Sequence, residues 1–135
     1  MNDRKKVLIL CTGNSARSQI AEAVLRHVSE FEVHSAGVEP AAVKPEVKVV
    51  LDEISIGSDG LRSKSVDEFA GQEFDHIITV CDGAKQNCPM FPGNAEGLHW
   101  SIADPAEVGG DQRLEAFRRA RDELVEKLTA FADRT

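Results

Sequence analysis

Two unbroken apolar runs, Val7 to Leu10 and Ile77 to Val80, stand out in a chain otherwise patterned at helical spacing. Such runs predict strands buried on both faces, as in a parallel sheet. After the first run, Ile20, Ala21, Val24, Leu25 and Val28 recur at steps of three and four, with Glu22, Arg26 and Glu30 on the other side. That spacing predicts a helix from Ser18 to about Glu30. Glu32 to Ser35 predicts a second strand closed by Gly37 and Pro40, and Pro45 stands at a natural helix start before Val47, Val50, Leu51 and Ile54. Residues 55 to 65, rich in Ser and Gly, read as a loop, after which Ser65 and Glu68 have the spacing of a capping box. Leu98 to Trp100 predicts a short fourth strand. Asp111 is placed to cap a long helix with the stripe Leu114, Phe117, Ala120, Leu124, Leu128 and Phe131. Strands alternating with helices imply an α/β fold, a four-stranded parallel sheet flanked by helices in three layers, with residues 1 to 135 forming one domain.

Composition narrows the choice of partners. The chain has 135 residues, 41% apolar and 29% charged, and no apolar run approaches the ~20 residues of a spanning helix. Sixteen basic and 23 acidic side chains give a formal charge of -7, which repels polyanions unless a local basic pocket overrides the field. Neither nucleic acid nor a membrane is expected. The basic start leads into an apolar run far shorter than a signal-peptide core, so a cytoplasmic protein is expected. Its three cysteines, Cys11, Cys81 and Cys88, cannot form a fully paired disulfide framework. They are therefore core thiols, metal ligands or reactive thiols. A zinc site from Cys81, Cys88 and His99 or His76 fits poorly, because the six-residue gap exceeds the usual two to four. His27, His34, His76 and His99 have no evident partner in the sequence, Trp100 suits packing at a sheet edge, and Arg118, Arg119 and Arg121 read as a solvated helix face.

The chemistry gathers beyond the carboxyl ends of the expected strands, where open α/β sheets bind ligands. Cys11 ends the first, Cys81 the third, and Asp104 follows the fourth. The first loop reads Cys11-Thr12-Gly13-Asn14-Ser15-Ala16-Arg17-Ser18 and leads into a helix. Small side chains let successive N–H groups turn inward as an anion nest, the helix N-terminus adds its positive end, and Arg17 can clamp two oxygens. This describes a tetrahedral oxyanion site. The same field favours a cysteine thiolate, so Cys11 reads as a nucleophile facing the bound anion. Nucleotide loops fit poorly, since GxxxxGK[ST] and GxGxxG are both absent.

These residues resemble a known family. Cys-x5-Arg-Ser after the first strand, Ser35-Ala36-Gly37 after the second and Asp104-Pro105 before the last helix resemble the low-molecular-weight protein tyrosine phosphatase fold over nearly the whole chain. The resemblance implies Cys11 as nucleophile, Arg17 as oxyanion binder, Ser18 as hydrogen-bond partner of the thiolate and Asp104 as general acid. Within that fold, the segment from Cys81 to Pro89 resembles the redox segment of thioredoxin-coupled arsenate reductases. It implies a relay in which Cys11 attacks arsenic, Cys81 attacks Cys11 and releases arsenite, and Cys88 attacks Cys81, leaving a disulfide for thioredoxin. The alternative is a phosphatase that hydrolyses phosphate monoesters through a Cys11 phospho-enzyme, but that branch commonly carries tyrosines near its pocket, and this chain has none. Some reductases of this type hold potassium with residues corresponding to Asn14, Glu22 and an acidic residue near position 64. Here that position is Lys64, whose ammonium could replace the ion. A monomer with no metal and no bound cofactor is expected, taking arsenate or a phosphate-like oxyanion and using thioredoxin as external reductant.

Overall fold

The computed structural model describes residues 4–82 and 91–135. Four strands form one sheet: β1 (Lys6–Cys11), β2 (Glu32–Gly37), β3 (His76–Thr79) and β4 (Glu96–His99). They run parallel in the order β2-β1-β3-β4, the α/β architecture expected from the alternating pattern. Helices α1 (Arg17–Val28), α2 (Pro45–Asp52) and α3 (Arg113–Arg134) accompany them. Val7 to Leu10 are fully buried because β1 lies inside the sheet and offers both faces to packed side chains. At the β4 edge, Glu96 and Gly97 are exposed, and a charge there discourages pairing with another chain.

Register places the chemistry. Leu10 pairs with Thr79, and the ladder continues as the Val80 N–H donates to the Leu10 carbonyl at 2.9 Å. Cys11 and Cys81 therefore leave the sheet side by side at its carboxyl edge. On the other flank Cys11 pairs with Gly37. A side chain at Gly37 would bring its Cβ within 2.7 Å of the Thr12 carbonyl and 2.8 Å of the Asn14 nitrogen. Only a glycine admits the loop this close.

The long helix buries the predicted stripe of Phe117, Ala120, Leu124, Leu128 and Phe131, while Leu114 is partly covered. Three local expectations are corrected. Asp111 does not cap α3: it lies in a 3-10 turn (Gly110–Gln112), and the helix starts at Arg113 without a side-chain cap. Ser65 accepts from the Asp67 N–H rather than that of residue 68, and Glu68 turns to Arg62 at 2.8 Å, so the capping box gives way to a short 3-10 turn (Val66–Phe69). Arg121 is buried rather than solvated, donating to the Val50 carbonyl at 3.0 Å and to Glu53 at 2.6 Å. It closes the end of α2, where carbonyls left without helical partners favour a cation.

Glu53 also receives Arg118 at 2.7 Å, so one carboxylate joins α2 to two arginines of α3. The hydrogen bond from Arg118, reinforced by Arg121, lowers the Glu53 pKa from 4.5 to about 2. A depressed carboxylate pKa stabilises the fold above the unfolded value, and that contribution is lost as pH falls through 4.5 toward 2. Glu53→Gln should therefore lower the melting temperature at pH 7, with a deficit that shrinks in melts at pH 4 and pH 3. A deficit independent of pH would show that the link is not ionic.

Candidate oxyanion and thiol site

A residue with positive φ turns the first loop. Asn14 lies at φ 48, a left-handed conformation that asparagine tolerates better than most residues. The turn carries its side chain into the interior, where Asn14 is fully buried. Its Oδ1 accepts the Lys64 backbone N–H at 2.8 Å. A backbone amide can only donate, so the other end of the Asn14 amide is its NH2, which donates to Ser18 Oγ at 2.8 Å and Ser35 Oγ at 2.9 Å. Each hydroxyl then has its own proton to give elsewhere. Ser35 donates to Glu22 Oε1 at 2.5 Å, and the Ser18 hydroxyl, 2.9 Å from Cys11 Sγ, is set as the donor to sulfur. The result is a buried polar chain from Glu22 to Cys11 Sγ. Ser18 sits inside α1; the cap position is Ala16 and carries no side-chain hydrogen bond. The first-turn N–H groups of α1 are left for an anion.

Glu22 is 2% exposed and tolerates burial because it is surrounded by cations. Arg26 meets it at 2.7 Å and Lys64 Nζ at 3.6 Å, with the ammonium also donating to the Arg62 carbonyl at 2.7 Å. Desolvation is the largest influence on Lys64 and lowers its pKa, against the pull of Glu22. Gln19, absent from the sequence reading, fastens the loop from behind by donating to the Asn14 and Arg62 carbonyls at 2.8 Å each. Glutamine inside an amphipathic helix gives no signal of that task.

The loop opens into a cavity of about 230 Å³ lined by Cys11, Thr12, Gly13, Ser15, Ala16, Arg17, Lys44, Asp104 and Ala106. Arg17 is held by the Ile102 carbonyl at 2.9 Å and lies 3.5 Å from Asp104. Asp104 in turn accepts the Ala106 N–H at 3.0 Å, so its position is fixed by the turn that starts at Pro105. The structure thus brings Cys11, Arg17 and Asp104 to one cavity. Cys81 lies against the same loop: its Sγ accepts the Thr12 N–H at 3.1 Å and is 3.2 Å from the Thr12 hydroxyl. Cys88 lies outside the described residues. Among those residues no cluster of three or more His, Cys, Asp or Glu could hold a metal, and no helix is long and apolar enough to cross a membrane.

His34, His76 and His99 have partners that the sequence did not reveal. His34 pairs with Glu32 at 2.8 Å, His76 packs edge-on against Phe131, and His99 bridges Thr79 at 2.7 Å and Asp82 at 2.9 Å. His99 thereby ties the residue after Cys81 to the end of β4.

A cysteine and an arginine thus stand at an uncapped helix N-terminus on a parallel sheet, with an aspartate across the cavity. The chain belongs to the low molecular weight phosphotyrosine protein phosphatase family, whose model matches residues 6–135. Its similar relatives include an arsenate reductase of Halalkalibacterium halodurans, 36% identical over 135 residues, covering 97% of each chain. The crystal structure of arsenate reductase from Archaeoglobus fulgidus is 32% identical with a TM-score of 0.77, covering 94% of this chain and 98% of that one. A thioredoxin-dependent arsenate reductase of Corynebacterium glutamicum is 29% identical with a TM-score of 0.72, covering 98% of this chain and 64% of that one.

Gly37→Ala should push the loop off the sheet and weaken anion binding without removing any polar group. The expected outcome is a lower melting temperature together with reduced sulfate protection of Cys11 against iodoacetamide. Unchanged protection would show that the loop adapts to the added methyl group.

Proposed function

We propose that this chain reduces arsenate to arsenite through a three-cysteine relay from Cys11 to Cys81 to Cys88, regenerated by thioredoxin. The observation that carries this reading is the seat of Cys81, whose sulfur accepts the N–H of Thr12, the residue next to Cys11. A phosphatase needs one thiol, whereas a two-electron reduction needs a second within reach of the first.

The arsenate oxygens sit on the loop N–H groups and Arg17. Cys11 attacks arsenic, and the departing oxygen takes its proton from Asp104 and leaves as water. The Ser18 hydroxyl steadies the thiolate before attack. Cys81 then attacks Cys11 Sγ; the S–As bond breaks, its electron pair stays on arsenic as As(III), and a Cys11–Cys81 disulfide forms. Cys88 attacks Cys81 Sγ, freeing Cys11 as thiolate and leaving Cys81–Cys88. Two thiols have lost two electrons and arsenic has gained them. A thioredoxin dithiol restores the pair.

The deciding experiment is arsenate-dependent NADPH consumption with thioredoxin and thioredoxin reductase, beside hydrolysis of a phosphate monoester. Cys88→Ser should complete one turnover and accumulate a Cys11–Cys81 disulfide detectable by mass spectrometry, while Cys11→Ser should lose all activity. Continued thioredoxin-coupled turnover in Cys88→Ser overturns the relay. Efficient monoester hydrolysis without arsenate turnover selects the phosphatase.

Lys64 takes the part of a bound cation beside Glu22 in this reading. Lys64→Met should then lower the melting temperature and make potassium chloride stabilising relative to choline chloride. A variant indifferent to potassium removes that role.

A further inference from the structure

Lys44 has no part in the relay, yet it lines the oxyanion cavity together with Cys11, Arg17 and Asp104. Its backbone is anchored to the loop, since its N–H donates to the Ser15 carbonyl at 2.8 Å. Pro45 follows and holds it extended, at φ -71 and ψ 138. The root of the side chain is thus fixed at the pocket wall, and the residue is half-buried. Its ammonium has no hydrogen-bond or ion-pair partner among the described residues; after the Arg113 hydrogen bond, its charge also lowers the Glu46 pKa, but the Glu46 and Asp104 carboxylates are bonded elsewhere. Glu46 accepts Arg113 Nε at 2.7 Å, and Asp104 is shared between Arg17 and the Ala106 N–H.

Charge gives this lysine a task. In the proposed first step Cys11 attacks as thiolate and Asp104 carries the proton it delivers, so the cavity side chains set one negative charge against the positive charge of Arg17. Without Lys44 a dianion would enter a cavity whose side chains sum to zero. With it they sum to plus one, in the same sense as the loop dipoles. We propose that Lys44 is a second cationic anchor, binding a peripheral oxygen of a doubly charged tetrahedral oxyanion and selecting inorganic dianions over monoanions of the same shape. The inference rests on the reading of the Cys11 to Arg17 loop as the substrate site of an arsenate reductase.

The test compares the full-length protein with Lys44→Met and Lys44→Arg. Protection of Cys11 from iodoacetamide is titrated with sulfate, a tetrahedral dianion, and perchlorate, a tetrahedral monoanion; KM for arsenate is measured in parallel. Lys44→Met should weaken sulfate protection and raise the arsenate KM by about tenfold, the loss of one charge-assisted contact. Perchlorate protection should change less than twofold, and Lys44→Arg should restore most of the sulfate effect. Unchanged sulfate protection in Lys44→Met, or equal losses for sulfate and perchlorate, overturns the proposal. Because protection needs no turnover, selective loss of sulfate protection beside a wild-type protein that does not reduce arsenate would uphold Lys44 and overturn the reductase reading.

Discussion

One buried amide holds the site in place. Asn14 takes a backbone donor from Lys64 on one side and gives its two N–H bonds to Ser18 and Ser35 on the other. An unpaired polar group in this interior would cost about 1–3 kcal/mol, so the loop, the end of β2 and the segment around Lys64 are coupled through a residue that satisfies all three together. The directions of these bonds matter as much as their number. Because the amide must donate to both serines, the protons of Ser18 and Ser35 point at the sulfur of Cys11 and the carboxylate of Glu22. The surroundings of Cys11 Sγ are therefore set by Asn14 through Ser18.

Electrostatics work on two scales here. The chain as a whole is strongly acidic, yet the first cavity is built from Arg17, Lys44 and the uncapped start of α1. Low-dielectric surroundings and short distances let these few groups outweigh the distant acidic surface, which salt screens over about 10 Å. Behind the cavity, Arg26 and Lys64 surround the buried Glu22 carboxylate, and this second ionic centre braces the loop.

Parallel pairing explains why two thiols distant in sequence stand beside one loop. Cys11 and Cys81 are seventy residues apart, but β1 and β3 are neighbours with Leu10 opposite Thr79, and their chains leave the sheet at the same edge. A slip of one residue would turn every side chain of β3 to the other face. The buried faces of Ile78 and Val80 resist that slip, so the core packing of β3 also keeps Cys81 against Thr12. His99, through Thr79 and Asp82, fixes the chain on either side of this cysteine.

The sequence by itself determined the α/β class, four strands, the three main helices and the loop from Cys11 to Arg17, because unbroken apolar runs, helical periodicity and the small residues of an anion nest are local patterns. It also marked Asp104 through its place after the last strand. Where local signals competed with packing they failed: Asp111 and the Ser65 to Glu68 pair have capping spacing, but the chain turns tightly there and the side chains go elsewhere, and Arg121 reads as solvated until Glu53 and the end of α2 close over it. The partners of Lys64, Gln19 and His99, the direction of the Asn14 amide and the seat of Cys81 were decided only by tertiary structure. Each depends on groups distant in sequence meeting at one point, and hydrogen-bond direction exists only once both partners are in place.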